Sequence, residues 1–310
     1  MRIKQKIPAG KRGHSRSSTR AMDHATAYLM ILPSFAILMV FVITPLFMAL
    51  GKSFTTWSFY GTSEFIWFEN FRLIMTHELF LKSLINIVKF VVIILPIQMV
   101  ITFLFAHILL KLPKLVGNLV KTAIYVPNVI SGVVASVIFL FIFNFRAGLL
   151  NELTKAMGIG RVAMMTNPTL ALIAICVPAI WLGFGYTSLI MFAGLNNIPQ
   201  SYYEAAAVDG AGFLSKLIHI SIPSMKNIFI LTLIGMLTGT LQMFDLPFLM
   251  TGGGPVNSTL TPMMFLFNNF RDQSVNMGYT VAGALLMMVA IGLINSVVFT
   301  VLRSEKSMDE

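Results

Sequence analysis

Runs of about twenty apolar residues recur six times along this chain, each bounded by charged or turn-forming positions, and the spacing predicts six membrane-crossing helices. They extend from Ala27 to Leu50, Ile87 to Leu110, Ala123 to Phe145, Thr169 to Ala193, Ile228 to Met250 and Tyr279 to Leu302. The first run is too long for the apolar core of a cleaved leader and further spans follow it, so it is expected to stay attached. Pro33, Pro45, Pro96, Pro127, Pro178 and Pro247 fall in or beside these runs. Neighbouring helices satisfy the backbone groups that a proline frees, so kinked spans are expected. The fold class is therefore all-α, a polytopic membrane protein. A basic tail over residues 1–26, a membrane domain over 27–302 and a short tail over 303–310 make up the chain.

Composition agrees. Of 310 residues 56% are hydrophobic and 11% charged, against roughly 25% charged in soluble domains. A formal charge of +10 would suit nucleic acid, but so many apolar residues do not fit inside one water-soluble core. No nucleic-acid partner is expected. The single cysteine, Cys176, excludes an internal disulfide or a Cys-rich metal cluster.

The positive charges set the orientation. Arg2, Lys4, Lys6, Lys11, Arg12, Arg16 and Arg20 precede the first span, and Lys111, Lys114, Lys121, Lys216, Lys226, Arg303 and Lys306 fall on the same side. Lys52, Arg72, Lys82, Arg146, Lys155, Arg161 and Arg271 fall on the other, leaving Lys89 unassigned. Fourteen against seven places both termini in the cytoplasm. Lys89, one turn inside the second span, is expected to snorkel outward. The outer stretch from Lys52 to Lys82 holds Phe54, Trp57, Phe59, Phe65, Trp67, Phe68 and Phe71, a density of rings expected at lipid headgroups or on a surface that receives an external partner.

Between the fourth and fifth spans lies a long inner loop, Gly194 to Lys226. Ser201 and Glu204 have the spacing of a capping box, which predicts a helix start. Ala205, Ala206 and Ala207 continue it with little side-chain bulk, and Gly210 is placed to end it in the left-handed conformation. A second helix is expected over about Gly212 to His219, stopping before Pro223. The string Glu204-Ala205-Ala206, Asp209-Gly210-Ala211 and Ile220-Ser221-Ile222-Pro223 closely resembles the EAA loop of permease subunits in binding-protein-dependent ABC importers. Phe244 to Pro255, ending Thr251-Gly252-Gly253-Gly254-Pro255, is similar to the carbohydrate-uptake branch of maltose or glycerol-phosphate type, as is Tyr125-Val126-Pro127.

The resemblance spans Ala27 to Arg303 and implies the type I importer architecture. It assigns Glu204, Ala205, Ala206, Asp209, Gly210, Ala211 and Pro223 to coupling with a separate ATPase subunit, which would bind ATP and magnesium, this chain holding no cofactor. It also implies a second homologous permease and an extracytoplasmic solute-binding protein as partners, with lipid around them. An importer of a non-sugar solute and an ion-coupled secondary transporter are the alternatives.

No catalytic residues are expected. Gly51-Lys52-Ser53 resembles the end of a phosphate-binding loop, but Leu46 stands where its first glycine is needed. His14, His24, His77, His107 and His219 show no pair at metal-ligand spacing. For a polyol, candidate contacts are Thr238, Leu241, Gln242 and Asp245, placed on one helical face by their spacing of three, four and seven. Asn128, Ser131 and Asn144 on the third span are further candidates. The same side chains suit hydrogen bonding between spans, and Asp245 is positioned to meet water or Arg271. Gly235 and Gly239 read as close-packing points.

Overall fold

A computed structural model of the chain describes residues 16–57, 63–272 and 276–302. The basic tail ahead of residue 16, Phe59 in the outer stretch and the tail from Arg303 onward lie outside the described residues. The described residues divide into two compact units, one up to Lys52 and one from Ser53 onward. Helix α1 (Arg16–Leu38), a π turn at Met39–Ile43 and α2 (Thr44–Ser53) make up one continuous helical run, of which Thr26–Ser53 is long and apolar enough to cross a membrane. Pro45 does not break it. The Thr44 backbone N–H reaches back five residues to the Met39 carbonyl, and that widened turn makes room for the proline ring.

The second unit is built around two long helices, α4 (Glu78–Lys111) and α8 (Pro168–Asn196). Before them comes α3 (Glu69–Thr76), which buries Asn70 and Ile74 and on whose exposed side Arg72 pairs with Glu69 at 2.7 Å. The hydrogen bond from Arg72 to that carboxylate, and then its charge, raise the guanidinium pKa. Phe54, Phe65, Trp67, Phe68 and Phe71 stack edge and face beside this helix, with centroids 5.0 to 6.3 Å apart. Because α4 begins nine residues before the predicted span, Lys82 stands on a helix and not in a loop. His77 caps it by accepting from the Leu79 N–H. Asn167 does the same for α8, with Pro168 at the first helical position, where no N–H is needed.

The third run does not form one straight span. It folds as α5 (Lys114–Val129) and α6 (Gly132–Ile142), bent by 98°. Ile130 and Ser131 are both extended, and the Ser131 hydroxyl accepts from the Val134 N–H to start the second piece. Hydropathy is blind to such a break, because Ile130 is as apolar as its helical neighbours. After α7 (Leu149–Ala156) the chain is stitched by buried Asn151, which donates to the carbonyls of Asn144 and Val162 and accepts from the Val162 N–H.

The fifth run is also interrupted. Ahead of it the inner loop folds as α9 (Gln200–Val208), α10 (Phe213–Lys216), a π turn at Leu217–Ser221 and α11 (Ile222–Ser224). The chain then turns by 71° at Met225 into α12 (Lys226–Leu241). The expected span to Met250 is cut at Gln242–Phe244, beyond which α13 (Asp245–Thr251) ends on left-handed Gly252. Then follow α14 (Pro262–Arg271) and α15 (Met277–Leu302). By length and composition the described residues hold four membrane-crossing helices, or six when each of two bent pairs counts as one span.

Two apolar clusters hold the second unit. The larger gathers Phe80, Phe90, Ile94, Ile175, Leu241, Met264 and Met287 from α4, α8, α12, α14 and α15. The smaller joins Phe103, Ala106, Met191 and Leu195, at the far ends of α4 and α8, to Leu217 and Met225. Helices α5 and α8 approach so closely that a Cβ on Gly185 would collide with the Ile124 carbonyl.

Candidate functional site: an exposed hairpin and two broken helices

The segment between α8 and α12 forms a helical hairpin. Its first helix starts earlier than the capping box predicts: Pro199 stands at the N-cap, and Ser201 lies inside the helix without capping it. Proline's fixed φ, here −56°, already directs the chain into Gln200. The other end matches expectation. Gly210 has φ +75°, its N–H bonds to the Ala207 carbonyl at 3.1 Å, and the Ala211 N–H bonds to Ala206 at 2.8 Å. These paired bonds satisfy two carbonyls that the helix end would otherwise leave open. The second helix does not stop before Pro223. As at Pro45, a π turn precedes the proline, with the Ile222 N–H bonded to the Leu217 carbonyl, and the chain stays helical to Ser224.

Glu204, Ala205, Asp209, Gly210 and Pro223 are exposed, and Ala206 and Ala211 are half-buried. Val208, 89% exposed, and Leu214, 65% exposed, stand uncovered beside them. Two exposed apolar side chains thus stand on the same hairpin as its exposed small residues. The opposite face is anchored. Tyr203 bonds to Ser221, which meets His107 on α4, Phe213 meets the His107 ring edge-on, and Lys111 lies over Phe213 at 5.0 Å. Gly194 of α8 gives Met225 room, since a Cβ there would come within 2.7 Å of its sulfur.

The two other helix breaks meet each other. A Cβ on Gly132, at the start of α6, would lie 2.7 Å from Asp245 Oδ2, at the start of α13. Asn128, Ser131, Gln242 and Asp245 are all exposed around this junction. The single stripe predicted on the fifth span is not preserved, because the break at Gln242 separates Asp245 from the helix that carries Thr238. Thr238 accepts from Asn295 of α15 at 2.8 Å and donates to the Ile234 carbonyl, and so joins helices. Leu241 is packed in the core. Arg271 does not reach Asp245; its guanidinium lies over the Phe267 ring at 5.7 Å. Asn144 spends its side-chain oxygen on the N–H groups of Arg146 and Ala147, a turn. Lys89 reaches one turn back to Asn86 at 3.4 Å.

A cavity of about 650 Å³ opens between α4, α8 and α12. Its wall is mostly apolar, with Gln98, Thr187, Thr232 and Thr240 as polar points. Gln98, nearly buried, donates to Thr187 at 3.1 Å. Gly235 and Gly239 line the same space, and a Cβ added to either would meet nothing within 4 Å, so they widen the cavity and pack against no helix. The hydropathy pattern does not single out Gln98 or Thr187; a lone glutamine within the apolar stretch Leu95 to Leu104 is the signal the sequence offers. Among the described residues no group of His, Cys, Asp or Glu is arranged to hold a metal.

Comparison with known proteins bears on this arrangement. The family described as the inner membrane component of binding-protein-dependent transport systems matches residues 98–304. The chain is 29% identical over 285 residues to the sulfoquinovosyl glycerol transport system permease protein SmoG of Agrobacterium fabrum, covering 91% of this chain and 92% of that one. It is 32% identical over 289 residues to the lactose transport system permease protein LacF of Rhizobium radiobacter, covering 89% and 94%. In fold it is similar to the crystal structure of a bacterial ABC transporter involved in the import of the acidic polysaccharide alginate. There the TM-score is 0.80 at 19% identity, over 94% of this chain and all of that one. A structure of the alginate transporter with an alginate pentasaccharide-bound periplasmic protein gives 0.76 at 19%, over 93% and 96%. With the match covering most of its length, the chain belongs to the family of inner membrane components of binding-protein-dependent transport systems.

Proposed function

We propose that this chain is a permease subunit of an ATP-driven importer and forms part of the path for a sugar, oligosaccharide or related polyol. The observation that carries the reading is the hairpin around Gly210: a small-faced helix, exposed on one side and tied through Tyr203 to Ser221, which in turn meets His107 of α4. The relatives named for lactose and sulfoquinovosyl glycerol support a carbohydrate solute. The excess of Lys and Arg supports a hairpin facing the cytoplasm, with both termini on that side.

In this reading a solute-binding protein delivers solute to the outer face, as the periplasmic protein seen with the alginate transporter suggests. ATPase subunits holding ATP and magnesium grip the exposed face of Glu204, Ala205, Ala206, Asp209, Gly210, Ala211 and Pro223. Their closure moves this subunit and a second, homologous permease to the outward-open state, and hydrolysis returns them. Gln242, Asp245, Asn128 and Ser131, exposed at the two helix breaks, face the solute path between the permeases; Thr238, Leu241 and Asn144 hold its walls. Interrupted helices suit this task, because unwound backbone and helix ends supply polar groups within the membrane.

The test is purification of the complex from its native membrane with mass spectrometry of its subunits, and uptake of labelled sugars by cells carrying Glu204→Lys. The substitution reverses an exposed charge and touches no core residue. The variant is expected to reach the membrane at wild-type level and take up no sugar. Normal uptake by the variant, or a complex without an ATPase subunit, would overturn the proposal.

A further inference from the structure

Ser221 is 1% exposed, yet its hydroxyl lies between two side chains of different elements. The Tyr203 phenol of α9 is 3.0 Å away and His107 Nε2 of α4 is 3.3 Å away. The Lys216 carbonyl, at 3.5 Å, is a more distant acceptor. The direction of the chain of bonds follows from its far end. His107 Nδ1 lies 3.0 Å from the Phe103 carbonyl, which only accepts, so Nδ1 carries the hydrogen. In the neutral ring Nε2 then accepts from Ser221, and Ser221 is left to accept from Tyr203. Each group fills one role.

We propose that Tyr203, Ser221 and His107 form a clasp that transmits movement of the hairpin into α4, and that these three are positioning residues for transport. The inference rests on the coupling role assigned to the hairpin above. The other contacts between hairpin and α4 are apolar, aromatic or cation–π: Leu217 and Met225 pack with Phe103 and Ala106, and Phe213 with His107 and Lys111. Such contacts resist separation but fix register weakly, whereas hydrogen bonds are directional. Nine residues from His107 on the same helix, about 14 Å along its axis, Gln98 lines the cavity and holds Thr187 of α8. A hairpin clasped at His107 therefore moves the cavity wall with it; an unclasped hairpin slides on a greasy contact.

The test uses the whole complex, with its partner permease, ATPase subunits and binding protein, reconstituted in vesicles. The quantity read is sugar taken up per ATP hydrolysed. Ser221→Ala and Tyr203→Phe are expected to keep the ATPase subunits bound while this ratio falls about tenfold. Ser221→Thr keeps the hydroxyl and is expected to stay near wild type. Where Ser221→Ala fails to accumulate, Tyr203→Phe gives the answer, since it removes one oxygen from a half-buried ring. An unchanged ratio in both variants, with ATPase bound, overturns the clasp and leaves the coupling hairpin standing. A Ser221→Thr variant as uncoupled as Ser221→Ala also overturns it. A wild-type complex without ATPase subunits removes the coupling reading and the clasp together.

Discussion

Asn276 donates its side-chain amide to Asn70 Oδ1 at 2.8 Å, joining the start of α15 to α3 across more than two hundred residues of sequence. Asn70 is wholly buried and donates in turn to the carbonyls of Ser53 and Thr55 at 2.8 and 2.9 Å. One amide thus satisfies three groups, one of them fully buried and two half-buried. Asn70→Ala leaves all three without this partner, at a cost of about 2–4 kcal/mol. The expected outcome is a melting temperature in detergent lower by roughly 5 °C or more, read by fluorescence-detected size exclusion. An unchanged melting curve would show that the bonds contribute nothing.

Glycines in the membrane segments divide into two kinds, and the division is measurable. At Gly185 an added methyl would meet the Ile124 backbone, which cannot swing aside as a side chain does. Gly185→Ala should force α5 from α8 and destabilise the protein by about 1–3 kcal/mol or more. Gly235→Ala and Gly239→Ala meet open space, and each should leave stability unchanged or raise it slightly, since alanine is the better helix former. Melting temperatures of the three purified variants separate the cases; equal losses at all three would contradict the geometry.

These glycines also show what the chain discloses before it folds. Apolar length revealed α8 and α15 almost to the residue, because nothing interrupts either helix. It missed the breaks at Ile130 and Gln242, since a helix break is decided by local backbone bonding and neighbouring helices, and apolar residues fill both sides of it. Pro223 misled for a related reason: a π turn absorbs the ring at the expense of one residue of register, a remedy that no composition rule anticipates. Gly210 was legible because only a residue without Cβ takes φ +75° cheaply. Gly235 was not, because a small residue serves equally well to admit a helix or to leave a hole.

Gly210 and Gly212 provide an internal comparison within the hairpin. Neither has an atom within 4 Å of an added Cβ, but only Gly210 has positive φ. Gly210→Ala should therefore cost about 1 kcal/mol through backbone strain alone and reduce sugar uptake, while Gly212→Ala should transport at the wild-type rate. Labelled-sugar uptake at matched membrane levels checks this. A pair of equal rates would mean that the left-handed turn is dispensable.

The junction of the two broken helices invites a double substitution. On Gly132 an added Cβ would lie 2.7 Å from Asp245 Oδ2, 3.3 Å from its Cγ and 3.0 Å from its Cβ. Gly132→Ala should thus push α13 away from α6 at a cost of about 1–3 kcal/mol. Asp245→Ala removes the two carboxylate contacts and leaves the tight Cβ contact, so adding it to Gly132→Ala should restore part of the lost stability. Non-additivity of about 1 kcal/mol is the expected signature of side chains in contact, and denaturation midpoints of the two single variants and the double variant give it directly. Strictly additive losses would mean that the start of α6 and the start of α13 do not touch. The helix breaks would then be independent features of the membrane domain and not two sides of one junction.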